Sequence, residues 1–161
     1  MAYEAMLSRV PIPPENVFRV PAENPDANQA AADYGQALRN FFQLSPETFP
    51  RFDLILLGMG PDGHTASLFP GTSALQEKSR LVVANWVEKF KAYRITFTLP
   101  VLNNPAVVTF LVGGADKAAT VKEVLEGTQP AELLPSKLVH PTNGRLIWML
   151  DQAAAAALSK P

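Results

Sequence analysis

Asp62 and His64 stand two residues apart in the stretch "LLGMGPDGHTASLFPG", just past an apolar run and among three glycines, Gly58, Gly60 and Gly63. A neutral imidazole beside a carboxylate is the equipment of a general base, and the carboxylate can orient the ring or work on the substrate itself. Gly58 and Gly60 let backbone come close to a ligand and take positive φ angles, while Asp62-Gly63 is a natural turn pair. The segment "HTASLF" reads as a short helix stopped by Pro70-Gly71. His64 would then sit in its first turn, where the helix dipole favours the neutral ring. Asp-Gly turns, glycine-rich strand exits and single histidines also serve structure alone, so the loop gains meaning only from where the fold puts it. Asp62 and His64 supply two metal ligands at most, and His140 lies in a separate Pro-flanked loop, so a metal site is not expected. No G-x-S-x-G elbow is present, and neither a dinucleotide fingerprint nor a P-loop is read. Acid/base chemistry on a small ligand is what remains.

The elements that would hold this loop alternate between strand and helix. "MAYEAMLSR" is helix-like, "VFRVP" from Val17 is a short strand, and "NPDANQAAADYGQALRNFF" is an amphipathic helix with Asn24 as cap and Pro25 in its first turn. The run Leu54 to Leu57 suits a strand of a parallel sheet covered on both faces. "RLVVANWV", "RITFTL", "AVVTFLVGG" and "RLIWML" are further strands; "DKAATVKEVLEG", closed by Gly127, and "DQAAAAALSK" are helices. The pattern predicts an α/β fold, an open, mostly parallel Rossmann-like sheet with helices on both faces, in a single domain over residues 1–161. In such sheets ligands bind where strands end and loops lead into helices. The two strands ending in glycine therefore mark the expected site: Leu54 to Leu57, and Val107 to Val112 with Gly113, Gly114 and the helix bearing Lys117.

Composition narrows the partners. The 161 residues carry 14 Lys plus Arg against 15 Asp plus Glu, a net charge of -1, without a basic run, which argues against nucleic acid. The absence of cysteine excludes disulfides and thiolate chemistry. No apolar stretch approaches the ~20 residues of a membrane span and no signal-peptide pattern opens the chain, so no membrane partner and a cytoplasmic location are expected. Nothing in the sequence sets an oligomeric state.

"GMGPDGHTASLFPG" closely resembles the signature of 6-phosphogluconolactonases, and the resemblance continues through "YRITFTLPVLNNPAVVTFLVGGADKAATVKEVLEG" to "LVHPTNGRLIWMLDQAAAA". A more distant resemblance is to glucosamine-6-phosphate deaminases, which share a G-x-G-x-D-G-H loop but continue differently after the histidine. The resemblance implies hydrolysis of 6-phosphogluconolactone, a phosphosugar lactone, to 6-phosphogluconate in the oxidative pentose phosphate pathway, with no metal or organic cofactor. It implies that His64 is the base toward the attacking water, with Asp62 and the backbone of Gly58, Gly60 and Gly63 shaping the site. Phosphate needs cations, and Lys117 at a helix start and Arg94 before an apolar strand are the candidates, Lys91 in the charged turn "EKFK" being weaker. Met59, Phe69 and Trp148 are taken as core or pocket wall. The family's Gly-Gly-Ser-Thr-Pro-like phosphate loop and Asp-Glu-Arg motif are not found, so the sequence looks like the C-terminal two-thirds of a lactonase. The alternatives left open are a deaminase-like enzyme and a catalytically silent fragment that binds sugar phosphate weakly.

Overall fold

Three apolar segments far apart in sequence come together as a parallel sheet. They are β1 (Leu54–Leu57), β4 (Val107–Val112) and β5 (Arg145–Leu150), in the order β1-β4-β5. Leu54 pairs with Val107 and Leu57 with Phe110, while Val107 pairs with Arg145 and Val112 with Leu150. The structure is a computed structural model that describes residues 2–159. Between β1 and β4 the chain makes an antiparallel hairpin, β2 (Val82–Val87) and β3 (Ala92–Phe97), closed by a 3-10 turn at Glu88–Phe90 and by Lys91 at φ 50.

Period-2 alternation decides which side of the parallel sheet is dry. Ile55, Leu57, Val108, Phe110 and Val112 are buried on one face. There they pack with α3 (Leu99–Leu102), with α4 (Ala118–Glu126) through Val121 and Val124, and with Ala154 of α5 (Gln152–Ala155). Phe110 and Trp148, paired across β4 and β5, stack at 4.0 Å with their planes 3° apart. A fully buried aromatic of this kind contributes about 1.5–3 kcal/mol. The other face is apolar but open, with Leu54 at 52%, Leu56 at 59% and Met149 at 58% exposure, and Leu111 and Ile147 also exposed. The expectation that Leu54 to Leu57 is covered on both faces is thus corrected: β1 is an edge strand whose burial alternates.

The second core lies under the hairpin. Helix α2 (Ala27–Phe42) lays Ala31 and Leu38 against Leu81, Val82 and Val101, with Phe52 and Phe97 shared by both cores. Its cap is Asp26, whose carboxylate accepts from the N–H groups of Asn28 and Gln29 at 3.0 Å; Asn24, expected to cap, instead accepts from the Asp26 N–H. The expected strand at Val17 is absent, since Val17 to Pro21 follows a 3-10 turn at Pro14–Asn16 and finds no strand to pair with. The opening helical segment divides into α1 (Ala2–Ala5) and a 3-10 turn at Leu7–Arg9, and the final helix shortens to α5. Met1 and Lys160, included in those two readings, lie outside the described residues.

Candidate functional site

Because β1 and β4 run parallel and side by side, the loops leaving Gly58 and Gly113 open on the same edge of the sheet. The Thr120 hydroxyl of α4 donates to the Pro61 carbonyl at 2.6 Å and ties that helix to the loop bearing Asp62. The loop is stitched elsewhere as well. Thr65 Oγ1 donates to the Gly58 carbonyl at 2.8 Å, and both the N–H and the hydroxyl of Ser136 donate to the Gly63 carbonyl, at 2.9 and 2.8 Å.

No helix starts at His64. The segment runs through a turn and an isolated bridge between Thr65 and Leu68, with Ala66 at φ 50, so the expected help from a helix dipole is not available. Gly58, Gly60 and Gly63 do have the literal G-x-G-x-x-G spacing, which the reading of the sequence passed over. Without a helix behind it, the loop lacks the N-terminal anion site that a dinucleotide fingerprint requires.

What fixes His64 is Asp62. His64 Nδ1 faces Asp62 Oδ1 at 2.5 Å, and the same oxygen accepts the His64 N–H at 3.3 Å. An ionised carboxylate can only accept, so Nδ1 carries a proton, and in the neutral ring Nε2 is then the acceptor. Among the described residues Nε2 has no protein partner. The ring stacks on Phe69 at 4.1 Å and lines a hollow of about 450 Å³ with Gly58, Met59, Gly60 and Ala66. Burial pushes the Asp62 carboxyl upward, but hydrogen bonds from Lys89 and His64 outweigh it and hold the group at about 2. Asp62 is therefore an anion throughout the neutral range.

Gly60 is required by space, and the positive φ expected of it and of Gly58 is found at neither. A Cβ there would stand 2.2 Å from His64 Nδ1 and Cε1. Its N–H donates to the His64 carbonyl and the Gly63 N–H donates to the Gly60 carbonyl, each at 3.0 Å, so these two amides are consumed in shaping the loop. Gly63 takes φ 75 with its Cα beside Leu134.

The expected phosphate cations are each engaged by their own local partners. Lys117 ends the 3-10 turn Ala115–Lys117 ahead of α4, and its ammonium pairs with Asp116 at 3.0 Å. Asp151 already accepts the Gly114 N–H at 2.9 Å. Arg94, on β3, is exposed with its guanidinium 4.9 Å over the Phe90 ring. Lys91 is paired with Glu88 at 2.8 Å. Neither Lys117 nor Arg94 makes a hydrogen bond or ion pair with His64 among the described residues. The cation that the reading of the sequence missed is Lys89, whose ammonium bonds Asp62 Oδ2. Nothing local signals it, because the two residues are 27 positions apart.

Among the described residues no group of three or more His, Asp or Glu could hold a metal ion, and no helix is long and apolar enough to cross a membrane. Comparison with known proteins gives a consistent picture. The sequence pattern of the family described as glucosamine-6-phosphate isomerases/6-phosphogluconolactonase matches residues 1–148. The chain is similar to the 6-phosphogluconolactonase of Nostoc sp., with 44% identity over 99% of this chain and 65% of the relative. It is 45% identical to that of Homo sapiens over 97% of this chain and 59% of the relative. The crystal structure of devB protein superposes with a TM-score of 0.85 at 35% identity, covering 96% of this chain and 64% of that one. The chain thus spans about three-fifths to two-thirds of the length of these proteins.

Proposed function

The chain belongs to the glucosamine-6-phosphate isomerase/6-phosphogluconolactonase family, and from that premise we propose that it hydrolyses 6-phosphogluconolactone to 6-phosphogluconate with His64 as general base. The observation that carries this reading is the Nδ1 contact to Asp62 at 2.5 Å, which makes Nε2 the acceptor of the neutral ring, and that ring lines an open hollow. Nε2 takes a proton from water as the oxygen attacks the lactone carbonyl, and Asp62 stabilises the imidazolium that forms. The ring ester bond then breaks as the tetrahedral intermediate collapses, and the leaving alkoxide takes a proton, giving the open-chain acid. Gly60 keeps the loop clear of a side chain against the ring, Gly58 lines the same hollow, and Gly63 turns the loop against Leu134. Lys117 and Arg94 are the proposed phosphate cations, Lys117 exchanging Asp116 for the phosphate oxygens. The same relationship points to a phosphosugar lactone as the small-molecule partner.

Lactone hydrolysis is measured as acid release over the spontaneous rate. His64→Ala should lower the enzymatic rate by about 10²- to 10⁴-fold, the range for loss of a general base, with unchanged circular dichroism. A chain that does not exceed the spontaneous rate would overturn the proposed activity, and a His64→Ala variant of undiminished rate would remove His64 from it.

A further inference from the structure

The Asp62 carboxylate is gripped at both ends. One oxygen meets His64 Nδ1 and the other meets the Lys89 ammonium. Lys89 arrives from the tip of the β2–β3 hairpin, placed by the 3-10 turn Glu88–Phe90 and the left-handed Lys91, whose N–H closes on the Glu88 carbonyl at 3.1 Å. Its ammonium lies 4.6 Å from the centre of the Phe69 ring and 5.0 Å from that of Phe90. Phe69 is also the ring on which His64 stacks. The neighbouring cations do not share this arrangement, since Lys91 is taken by Glu88 and Arg94 lies over Phe90 without reaching Asp62.

We propose that Lys89 is a positioning residue, acting through the second oxygen of Asp62 to fix the tautomer and direction of His64; this rests on the reading of the pair as the catalytic base. A carboxylate held only at Oδ1, here by Nδ1 and the N–H of His64, keeps play about its broad terminal torsion. Held at both, it has one plane, and that plane points one oxygen at Nδ1. An exposed ion pair by itself does little. Here two aromatic faces restrict the ammonium and its acceptor is the group that selects the protonated ring nitrogen. Asp62 is correspondingly held far below the ordinary carboxyl range, which keeps it an acceptor.

The test reads the histidine ring directly. Nitrogen NMR of the ¹⁵N-labelled chain at mildly alkaline pH gives the ratio of Nδ1–H to Nε2–H tautomers, with His140 as internal reference. Lys89→Met should lower that ratio for His64 by about two- to fivefold, the fold-change that an exposed ion pair supports. Lys89→Arg should restore it, and the His140 ratio should not move. An unchanged ratio in Lys89→Met overturns the proposal. So does a disturbed ratio that Lys89→Arg fails to restore, because the lost stem packing on Phe69 and Phe90 would then be the cause. In the lactone assay Lys89→Met should lower kcat and leave KM in place; a raised KM alone would make Lys89 a substrate contact and overturn the positioning role. If the chain hydrolyses no lactone but the ratio responds, the proposed activity fails and the role of Lys89 stands. If hydrolysis is found and ratio and kcat are both indifferent to Lys89, the reverse holds.

Discussion

Replacing Gly60 by alanine adds one methyl group at a place where the backbone can accept it, because Gly60 is not among the residues at positive φ. The consequence is therefore steric and local. The new Cβ would lie 2.2 Å from His64 Nδ1 and Cε1 and 2.9 Å from Asp62 Oδ1. Ordinary carbon contacts sit near ~3.5 Å, so the imidazole must retreat by about 1.3 Å. The Nδ1 contact to Asp62, at 2.5 Å, would then stretch beyond hydrogen-bond range or lose its line. Misplacement of a catalytic group by about 1 Å costs on the order of 10² in rate. Moving the ring off its rotamer adds roughly 0.5–1.5 kcal/mol of instability. Gly60→Ala should thus fold, melt only a few degrees lower, lose about two orders of magnitude in lactone hydrolysis, and show a mixed His64 tautomer by nitrogen NMR. A variant with an unaltered tautomer ratio and a rate within about twofold of the parent would show that the ring does not need this position, and the reasoning from space would fail.

Two further outcomes test other parts of the molecule. Burial pushes the Glu77 carboxyl upward, yet hydrogen bonds from the N–H groups of Ser79 and Arg80, with others from their side chains, hold it at about 2 against an ordinary 4.5. A carboxyl depressed in the folded state gives stability that is complete above the unfolded value and vanishes as pH falls through the folded one. Between about pH 4.5 and 2 the parent should therefore lose on the order of 2 kcal/mol relative to Glu77→Gln; parallel urea midpoints for the two proteins across that window would contradict this. Lys117→Met should weaken 6-phosphogluconate binding by about 1.5 kcal/mol, the lower end for a charged hydrogen bond because Asp116 is exchanged for phosphate, and should leave gluconate binding unchanged; equal loss for both ligands by calorimetry would pass the phosphate role to Arg94.

The parts of the fold that could be read in advance are those whose signal is local. Leu54–Leu57, Val107–Val112 and Arg145–Leu150 announce themselves as β-rich apolar runs, and two of the three end in glycine. Asp62 and His64 are legible because their partnership spans two residues. The conformation after His64 is not, because it is imposed from outside. Ser67 donates its N–H to Thr96 Oγ1 and Asn85 donates to the Ser67 carbonyl, and these bonds from the hairpin hold a segment whose own sequence favours a helical turn. Lys89 was hidden for the same reason, since a charged turn gives no sign of what faces it across the fold. The strand expected at Val17 failed in the opposite sense: its residues are suited to a sheet, but the segment pairs with no strand.

The two sheets differ in how far the chain must travel to make them. The β2–β3 hairpin joins Val87 to Ala92 across one tight turn, whereas β1 must find β4 with Leu54 opposite Val107, and β4 must find β5 with Val107 opposite Arg145. Closing such long loops before any contact rewards them makes parallel pairing slow, while local hairpins form in microseconds. The expected order of folding is then hairpin first and parallel sheet last. Asp62 leaves the late sheet and Lys89 stands on the early hairpin, so their ion pair joins two units that mature at different times. Trp86 on β2 and Trp148 on β5 give each unit its own fluorophore, and single Trp→Phe variants would show two separate refolding phases if this order holds and one shared phase if it does not. The candidate site, on this account, comes into being only at the final docking step, and no earlier species on the folding route has its histidine aligned.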